Sequence, residues 1–169
     1  MPDKATIALD AMGGDFGPEV VIPAAAQVVS KHRNLHIILV GNEDILRACA
    51  EENNITLGDA LEIKHASQVV EMHDEPGLAI RKKKDSSMRV AINLVHEGKA
   101  QAAVSAGNTG ALMGTAKFVL KTVPGIGRPA ICTTIPSITG HTHMLDLGAN
   151  VDCSAENLFQ FAVMGSVLA

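Results

Sequence analysis

The sequence predicts an α/β fold with a mostly parallel sheet that helices cover on both faces. Apolar runs of strand length alternate along the chain with segments of helical periodicity. The strand runs are continuously apolar, which is typical of strands buried on both faces of a sheet. Because a length of 169 residues suits one domain, we expect residues 1–169 to belong to a single α/β domain.

The first predicted strand, Thr6 to Leu9, ends at Asp10 and leads into a glycine-rich loop. Pro18 suits the first turn of the helix that follows. Its apolar residues recur at helical spacing: Val20, Val21, Ala24, Ala25, Val28 and Val29. We expect Pro23 to distort this helix locally without breaking it.

The next predicted elements continue the alternation. A strand over Leu35 to Val40 precedes a helix over Glu43 to Asn53, and a weaker strand follows at Leu61 to Lys64. A further helix over Ser87 to Glu97 ends at Gly98, a residue type common just beyond helix ends.

The last third of the chain adds a strand at Ala102 to Ser105, a helix at Thr109 to Lys121, strands at Ala130 to Ile135 and Thr142 to Leu147, and a helix opening at Ser154. Apolar residues surround most of this last helix: Leu158, Phe159, Phe161, Ala162, Met164, Val167 and Leu168. Such a helix needs burial on all sides. We therefore expect the chain to be the amino-terminal part of a longer protein, or a partner to cover the helix.

Composition excludes several classes of function. The net charge of -4 argues against a general attraction to nucleic acid, and four Phe with no Trp or Tyr argue against stacking on bases. No apolar run is long enough for a transmembrane helix. Three cysteines without a CxxC pair favour a reducing, cytoplasmic setting. His141 and His143 alone do not make a metal site.

The segment Ser105 to Ala111 is the strongest candidate site. Small residues lie where a buried strand ends and a helix begins, so free backbone N–H groups and the positive end of the helix dipole favour an anion. Gly107 and Gly110 would let a ligand approach the backbone, and Asn108 could donate a hydrogen bond. The alternative is a tight turn with no ligand. Because no Lys follows the last glycine, a nucleotide triphosphate site is not supported.

Two other clusters have a functional and a plain interpretation. Asp10 and Asp15 flank two glycines and either cap turn N–H groups or orient a ligand. Arg81, Lys82, Lys83 and Lys84 form a basic cluster that is either a solvated face or a surface for an acidic partner.

These motifs together resemble the PlsX family, the acyl-acyl-carrier-protein:phosphate acyltransferases of bacterial phospholipid synthesis. The likeness runs in order through essentially the whole chain. The segments that carry it are Ile7 to Glu19, Val40 to Asn42, Ile80 to Met88, Ala103 to Ala111 and Leu145 to Val151. Because members of that family are longer than this chain, the resemblance also implies that the carboxyl-terminal part is missing.

The resemblance implies a Rossmann-like three-layer sandwich related to phosphate acetyltransferases and isocitrate-dehydrogenase-like enzymes. It implies that phosphate attacks the thioester of a long-chain acyl group on acyl carrier protein and gives acyl-phosphate, with no cofactor. It also implies a homodimer in the cytoplasm, in peripheral contact with the inner face of the cell membrane, that supplies a downstream membrane acyltransferase.

On this interpretation, Ser105, Gly107, Asn108, Thr109 and Gly110 bind phosphate. Asn108 also serves catalysis, together with Asp10 and Asp146, which lie at strand ends and orient polar neighbours. The basic cluster docks the acidic carrier protein. Two alternatives stay open: a phosphate acetyltransferase that uses coenzyme A, and a non-catalytic module that binds a phosphate or carboxylate metabolite.

Overall fold

The computed structural model describes residues 4–148, 150 and 152–169. The chain divides into two compact units, Met1–Leu120 and Lys121–Ala169. That residues 1–169 form one domain stays a prediction.

The first unit contains a four-stranded parallel sheet. Its strands are β1 (Ala5–Asp10), β2 (Leu35–Gly41), β3 (Leu61–His65) and β4 (Ala102–Val104). The order across the sheet is β3-β2-β1-β4, and every neighbouring pair is parallel. The predicted α/β class with a mostly parallel sheet is confirmed.

Five helices belong to this unit: α1 (Pro18–Lys31), α2 (Glu43–Glu52), α3 (Pro76–Lys82), α4 (Ser87–His96) and α5 (Thr109–Leu120). The α1 helix continues through Pro23, which lies early enough in the helix to be accommodated. No helix is predicted from the sequence between the strand ending at Lys64 and the helix beginning at Ser87, and the structure shows the seven-residue α3 there.

The two faces of the sheet have separate cores because successive strand residues point to opposite sides. On one face, Ile22 of α1 and Leu46 of α2 pack with Leu39 of β2. On the other face, Ala91 of α4 packs with Ala8 and other buried residues of β1 and β2. The result is three layers with helices on both sides of the sheet. A third cluster joins α3, α4 and α5.

The second unit corrects one expectation from the sequence. Its strands β5 (Cys132–Ser137) and β6 (Gly140–Leu145) form an antiparallel hairpin, not an extension of the parallel sheet. Only residues 138 and 139 connect them. Parallel strands need a crossover of a dozen or more residues, whereas two residues suit a hairpin.

The final helix, α6 (Ala155–Leu168), begins with a capping box formed by Ser154 and Asn157. Its buried residues are Gln160 and Phe161, whereas several of its large apolar side chains are exposed: Leu158, Phe159, Val163, Val167 and Leu168. In the described part of the chain, no helix is long and apolar enough to cross a membrane.

Candidate functional site

The strand order β3-β2-β1-β4 makes the boundary between β1 and β4 the point at which the connections change direction. The chain runs from β1 through α1 to β2 on one side, while β4 lies on the other side of β1. In parallel sheets of this kind, ligands bind beyond the carboxyl ends of the strands, where the direction of the connections reverses. The β1–α1 loop and the β4–α5 loop both begin at this edge. The predicted site loop therefore lies where the topology favours a ligand.

Asp10 joins these two loops. Leu9 pairs with Val104 in the sheet, so Asp10 and Ser105 follow side by side. The Ser105 hydroxyl donates to Oδ2 of Asp10 at 2.7 Å. Oδ1 of Asp10 accepts the backbone N–H groups of Met12 at 3.2 Å and Gly13 at 3.1 Å. Asp10 is only 2% exposed, so its carboxylate organises the loops from within.

Glycines allow the two loops to pack closely. A Cβ on Gly13 would lie 2.5 Å from Oδ2 of Asp10 and 3.1 Å from the backbone nitrogen of Gly107. A Cβ on Gly107 would lie 3.2 Å from Cε of Met88. The Gly107 N–H donates to the Ser105 hydroxyl at 3.0 Å. Gly107 is therefore surrounded by protein, whereas the sequence interpretation left that space to a ligand.

Close packing also explains why residues 110 and 114 are glycines. A Cβ on Gly110 would lie 2.9 Å from Cγ of Pro76, and one on Gly114 would lie 2.6 Å from Cδ1 of Ile80. Both glycines therefore let α3 pack against α5. The backbone of Gly110 is exposed all the same, as is Thr109.

The first turn of α5 retains donors for an anion. Oδ1 of Asn108 accepts the N–H of Ala111 at 3.0 Å and so caps the helix. Among the described residues, no hydrogen bond uses the N–H of Thr109 or Gly110. These two groups lie at the positive end of the helix dipole, where an anion is stabilised.

Asn108 itself faces inward. Its side-chain amide nitrogen donates to the carbonyl oxygens of Met72 and Asp74, each at 3.0 Å, and the residue is 9% exposed. The Asn108 side chain, which was predicted to contact phosphate, is therefore already hydrogen-bonded within the protein. An Asn just before a helix is a common cap, so the capping role could have been found in the sequence. The contacts with a loop more than thirty residues away could not.

The basic cluster divides into two groups. Arg81, Lys82 and Lys84 are exposed. Lys83 is half-buried, pairs with Asp74 and donates to the Val69 carbonyl at 2.8 Å. The hydrogen bond from Lys83 lowers the pKa of Asp74, helped by the Glu71 N–H. Three of the four predicted docking residues are thus available to a partner, while Lys83 has a partner inside the protein.

Asp146 belongs to the second unit. Its carboxylate accepts the N–H of Ile131 and the N–H of Asn150, both at 2.8 Å. It follows β6, and therefore does not lie at the end of a strand of the parallel sheet as expected. Its catalytic role stays a prediction. Ala149, which the sequence places in the same loop, lies outside the described residues.

The other reactive side chains of the described residues do not form a catalytic or metal-binding cluster. Burial raises the pKa of the Cys49 thiol, and the charges of Glu52 and Glu19 add to this, which opposes a nucleophilic thiolate. The rings of His141 and His143 make an edge contact at 5.0 Å. Among the described residues, no group of three His, Cys, Asp or Glu side chains is placed to hold a metal ion.

The fold is that of an α/β protein in which the loop between β4 and α5 follows the carboxyl end of a parallel strand, and two N–H groups of this loop have no partner among the described residues. The chain belongs to the family described as fatty acid synthesis protein, which matches residues 5–169. It is 64% identical to a phosphate acyltransferase of Methylococcus capsulatus over 95% of this chain and 47% of the relative. It is 62% identical to a phosphate acyltransferase of Nitrosococcus oceani over 98% of this chain and 49% of the relative.

The chain thus spans about half the length of the curated relatives it matches. Two solved structures share the fold. A phosphotransacetylase from Streptococcus pyogenes superposes with a TM-score of 0.70 at 21% identity, covering 95% of this chain and 52% of that one. A phosphotransacetylase from Staphylococcus aureus gives 0.64 at 22% identity, covering 95% and 51%.

Proposed function

We propose that the intact protein transfers a long-chain acyl group from the thioester of acyl carrier protein to inorganic phosphate, and that the acyl-phosphate product feeds phosphatidic acid synthesis. The single observation that carries the proposal is the pair of N–H groups at the start of α5, those of Thr109 and Gly110, which have no partner among the described residues and follow the carboxyl end of β4. The name of the relatives, phosphate acyltransferase, supports phosphate as the acceptor.

The chemistry suits this arrangement. Phosphate is itself the nucleophile, so the protein needs to hold and orient it rather than provide a covalent nucleophile. One phosphate oxygen attacks the thioester carbon, the C–S bond breaks, and the carrier thiol leaves with a proton. The N–H groups of Thr109 and Gly110, with the Thr109 hydroxyl, hold the phosphate. Asp10 and Ser105 keep the loop in place.

The acceptor site is tested by removing one N–H group. Thr109 is the first residue of α5, a position that tolerates proline. Thr109→Pro deletes the N–H and the hydroxyl, whereas the control Thr109→Ala deletes the hydroxyl alone. We expect Thr109→Pro to raise the KM for phosphate by about tenfold or more, since a hydrogen bond to a charged group contributes roughly 1.5–3 kcal/mol. A KM equal to that of Thr109→Ala would contradict the site.

The donor is tested by product analysis with the intact protein. Formation of acyl-phosphate from a long-chain carrier-protein thioester, and not from acetyl-coenzyme A, distinguishes the proposal from a phosphate acetyltransferase. Phosphate binding without turnover of either donor would favour a non-catalytic module.

Docking of the carrier protein is assigned to Arg81, Lys82 and Lys84, because their exposed positive charges complement an acidic partner. Reversing these charges should raise the KM for the carrier-protein donor, with the effect weakening at high salt. Lys31→Glu, at the far end of α1, is the control. A homodimer and peripheral membrane contact rest on the family resemblance, and are tested by light scattering and by sedimentation with anionic vesicles.

A further inference from the structure

A segment between β3 and α3 is tied to the start of α5. We define it as the 69–75 segment, Val69 to Glu75. The amide nitrogen of Asn108 donates to the carbonyls of Met72 and Asp74 at 3.0 Å, and reaches that of Glu71 at 3.5 Å. Pro76, the next residue, packs on Gly110. The segment therefore lies directly beside the N-terminal turn of α5.

The side chain of Asn108 has no hydrogen left for a ligand. A primary amide carries two N–H donors and one carbonyl acceptor. Three backbone carbonyls surround the two donors. The acceptor binds the Ala111 N–H at 3.0 Å. With 9% exposure, the amide joins the segment to the helix cap and does not face the open N–H groups.

Lys83 provides a second tie, that is, a second set of contacts that holds the 69–75 segment. The Lys83 ammonium pairs with Asp74 and donates to the Val69 carbonyl at 2.8 Å. Oδ2 of Asp74 also accepts the Glu71 N–H at 2.8 Å. The side chains of Lys83 and Asp74 are 28% and 23% exposed, so this pair is less screened by water than a surface pair.

We propose that Asn108 and Lys83 are positioning residues that hold the 69–75 segment as a fixed wall beside the phosphate site, and that neither contacts phosphate. In this arrangement the carbonyls of Met72 and Asp74 point toward the Asn108 amide. If released, these carbonyls would place their negative ends near the phosphate and weaken its binding. The inference rests on the proposed function.

The test uses two ties and a matched control in the intact protein. Asn108→Ser keeps a helix-capping oxygen but removes the amide donors. Lys83→Met removes the second tie, which holds the carboxylate of Asp74 and the carbonyl of Val69. Lys31→Met removes the same charge from an exposed lysine in the last turn of α1, away from the segment and from the docking surface. Amide hydrogen exchange of residues 69–75 and the KM for phosphate are measured for each, after circular dichroism has checked the fold.

We expect both Asn108→Ser and Lys83→Met to speed exchange in the 69–75 segment and to raise the KM for phosphate by about threefold to tenfold, as the loss of one or two hydrogen bonds predicts. Lys31→Met should change neither quantity.

Two results would overturn the inference. If Asn108→Ser raises the KM while exchange in the segment is unchanged and Lys83→Met has no effect, Asn108 is a phosphate ligand. If exchange speeds up in both variants but the KM stays constant, the segment is structural only. Failure of the proposed function gives a different result: the unmodified protein then makes no acyl-phosphate, while the exchange data still report on the two ties.

Discussion

At the scale of single residues, the candidate side chains mostly bind one another. Asp10 and Ser105, predicted to surround a ligand, share a hydrogen bond at 2.7 Å, and Asn108 binds the backbone of another loop. The groups left open to an anion are backbone N–H groups of Thr109 and Gly110. Side-chain identity therefore shapes the loop, while backbone N–H groups are the donors that the described structure leaves without a partner.

Asp10→Asn tests this organising role. The carboxylate accepts three donors, from Ser105, Met12 and Gly13, and an amide would turn an NH2 group toward at least one of them. We expect a loss of about 1–3 kcal/mol in the free energy of unfolding, the usual effect of an unpaired buried polar group. Urea denaturation measures it. Asp15→Asn, an exposed acid in the same loop, is the control, and equal stability of the two variants would contradict the role.

Residue patterns predicted where the site loop lies but not which of its atoms are free. The strand-to-helix pattern at Ser105 to Ala111 located the loop because it depends on neighbours in sequence. The contacts of Asn108 and Lys83 with the 69–75 segment join residues 9 to 37 positions apart, and such pairings have no signal in a single sequence. Pro76 near Gly110 is a similar case.

At the scale of elements, hydrogen bonds join the loop that follows β3 to the residues at the start of α4. Ser67 donates to the Asp85 carboxylate through both its N–H and its hydroxyl. The Gln68 N–H donates to the Asp85 carbonyl at 3.1 Å, and the Ser87 N–H donates to the Gln68 carbonyl at 3.0 Å. These bonds fix the start of α4 against the loop that follows β3.

This junction makes stability depend on pH. The Ser67 hydroxyl and N–H lower the pKa of Asp85. Because the folded-state pKa is below the unfolded value of about 3.9, the stabilisation is fully present above that value and is lost as pH falls through the lowered folded value. We expect Ser67→Ala to return the pKa of Asp85 toward its ordinary value, as measured by NMR titration. An unchanged titration would mean that the hydroxyl is not the cause.

Elements were predictable where one local pattern dominated. The helices beginning at Glu43 and Ser87 combine an apolar face with a capping Asn or Ser, and both were located from the sequence. The expectation that β5 and β6 belong to the mostly parallel sheet was wrong, because their residues, CTTIPS and GHTHML, lack the continuous apolar run typical of strands buried on both faces. The short connection between them was the signal that could have corrected it.

At the scale of the whole molecule, the described chain exposes apolar surface in each unit. β4 is the last strand in its sheet, and Val104 is 47% exposed. In α6, Phe159 is 66% exposed and Val167 84%. The chain also spans about half the length of its curated relatives. Open strand edges and contiguous apolar patches are the features through which proteins associate.

Residues 1–169 produced alone should therefore self-associate, and light scattering should show a mass that rises with protein concentration. Two variants test the contributions of the two surfaces separately. Val104→Lys places a charge on the edge strand β4. The double variant Phe159→Ser with Val167→Ser reduces the apolar surface of α6. Phe16→Ser is the control, because Phe16 is 72% exposed but lies outside both surfaces. We expect the α6 double variant to lower the associated fraction more, since two large side chains bury more apolar area than one strand edge residue. A chain that stays monomeric at every concentration would show that neither surface drives association.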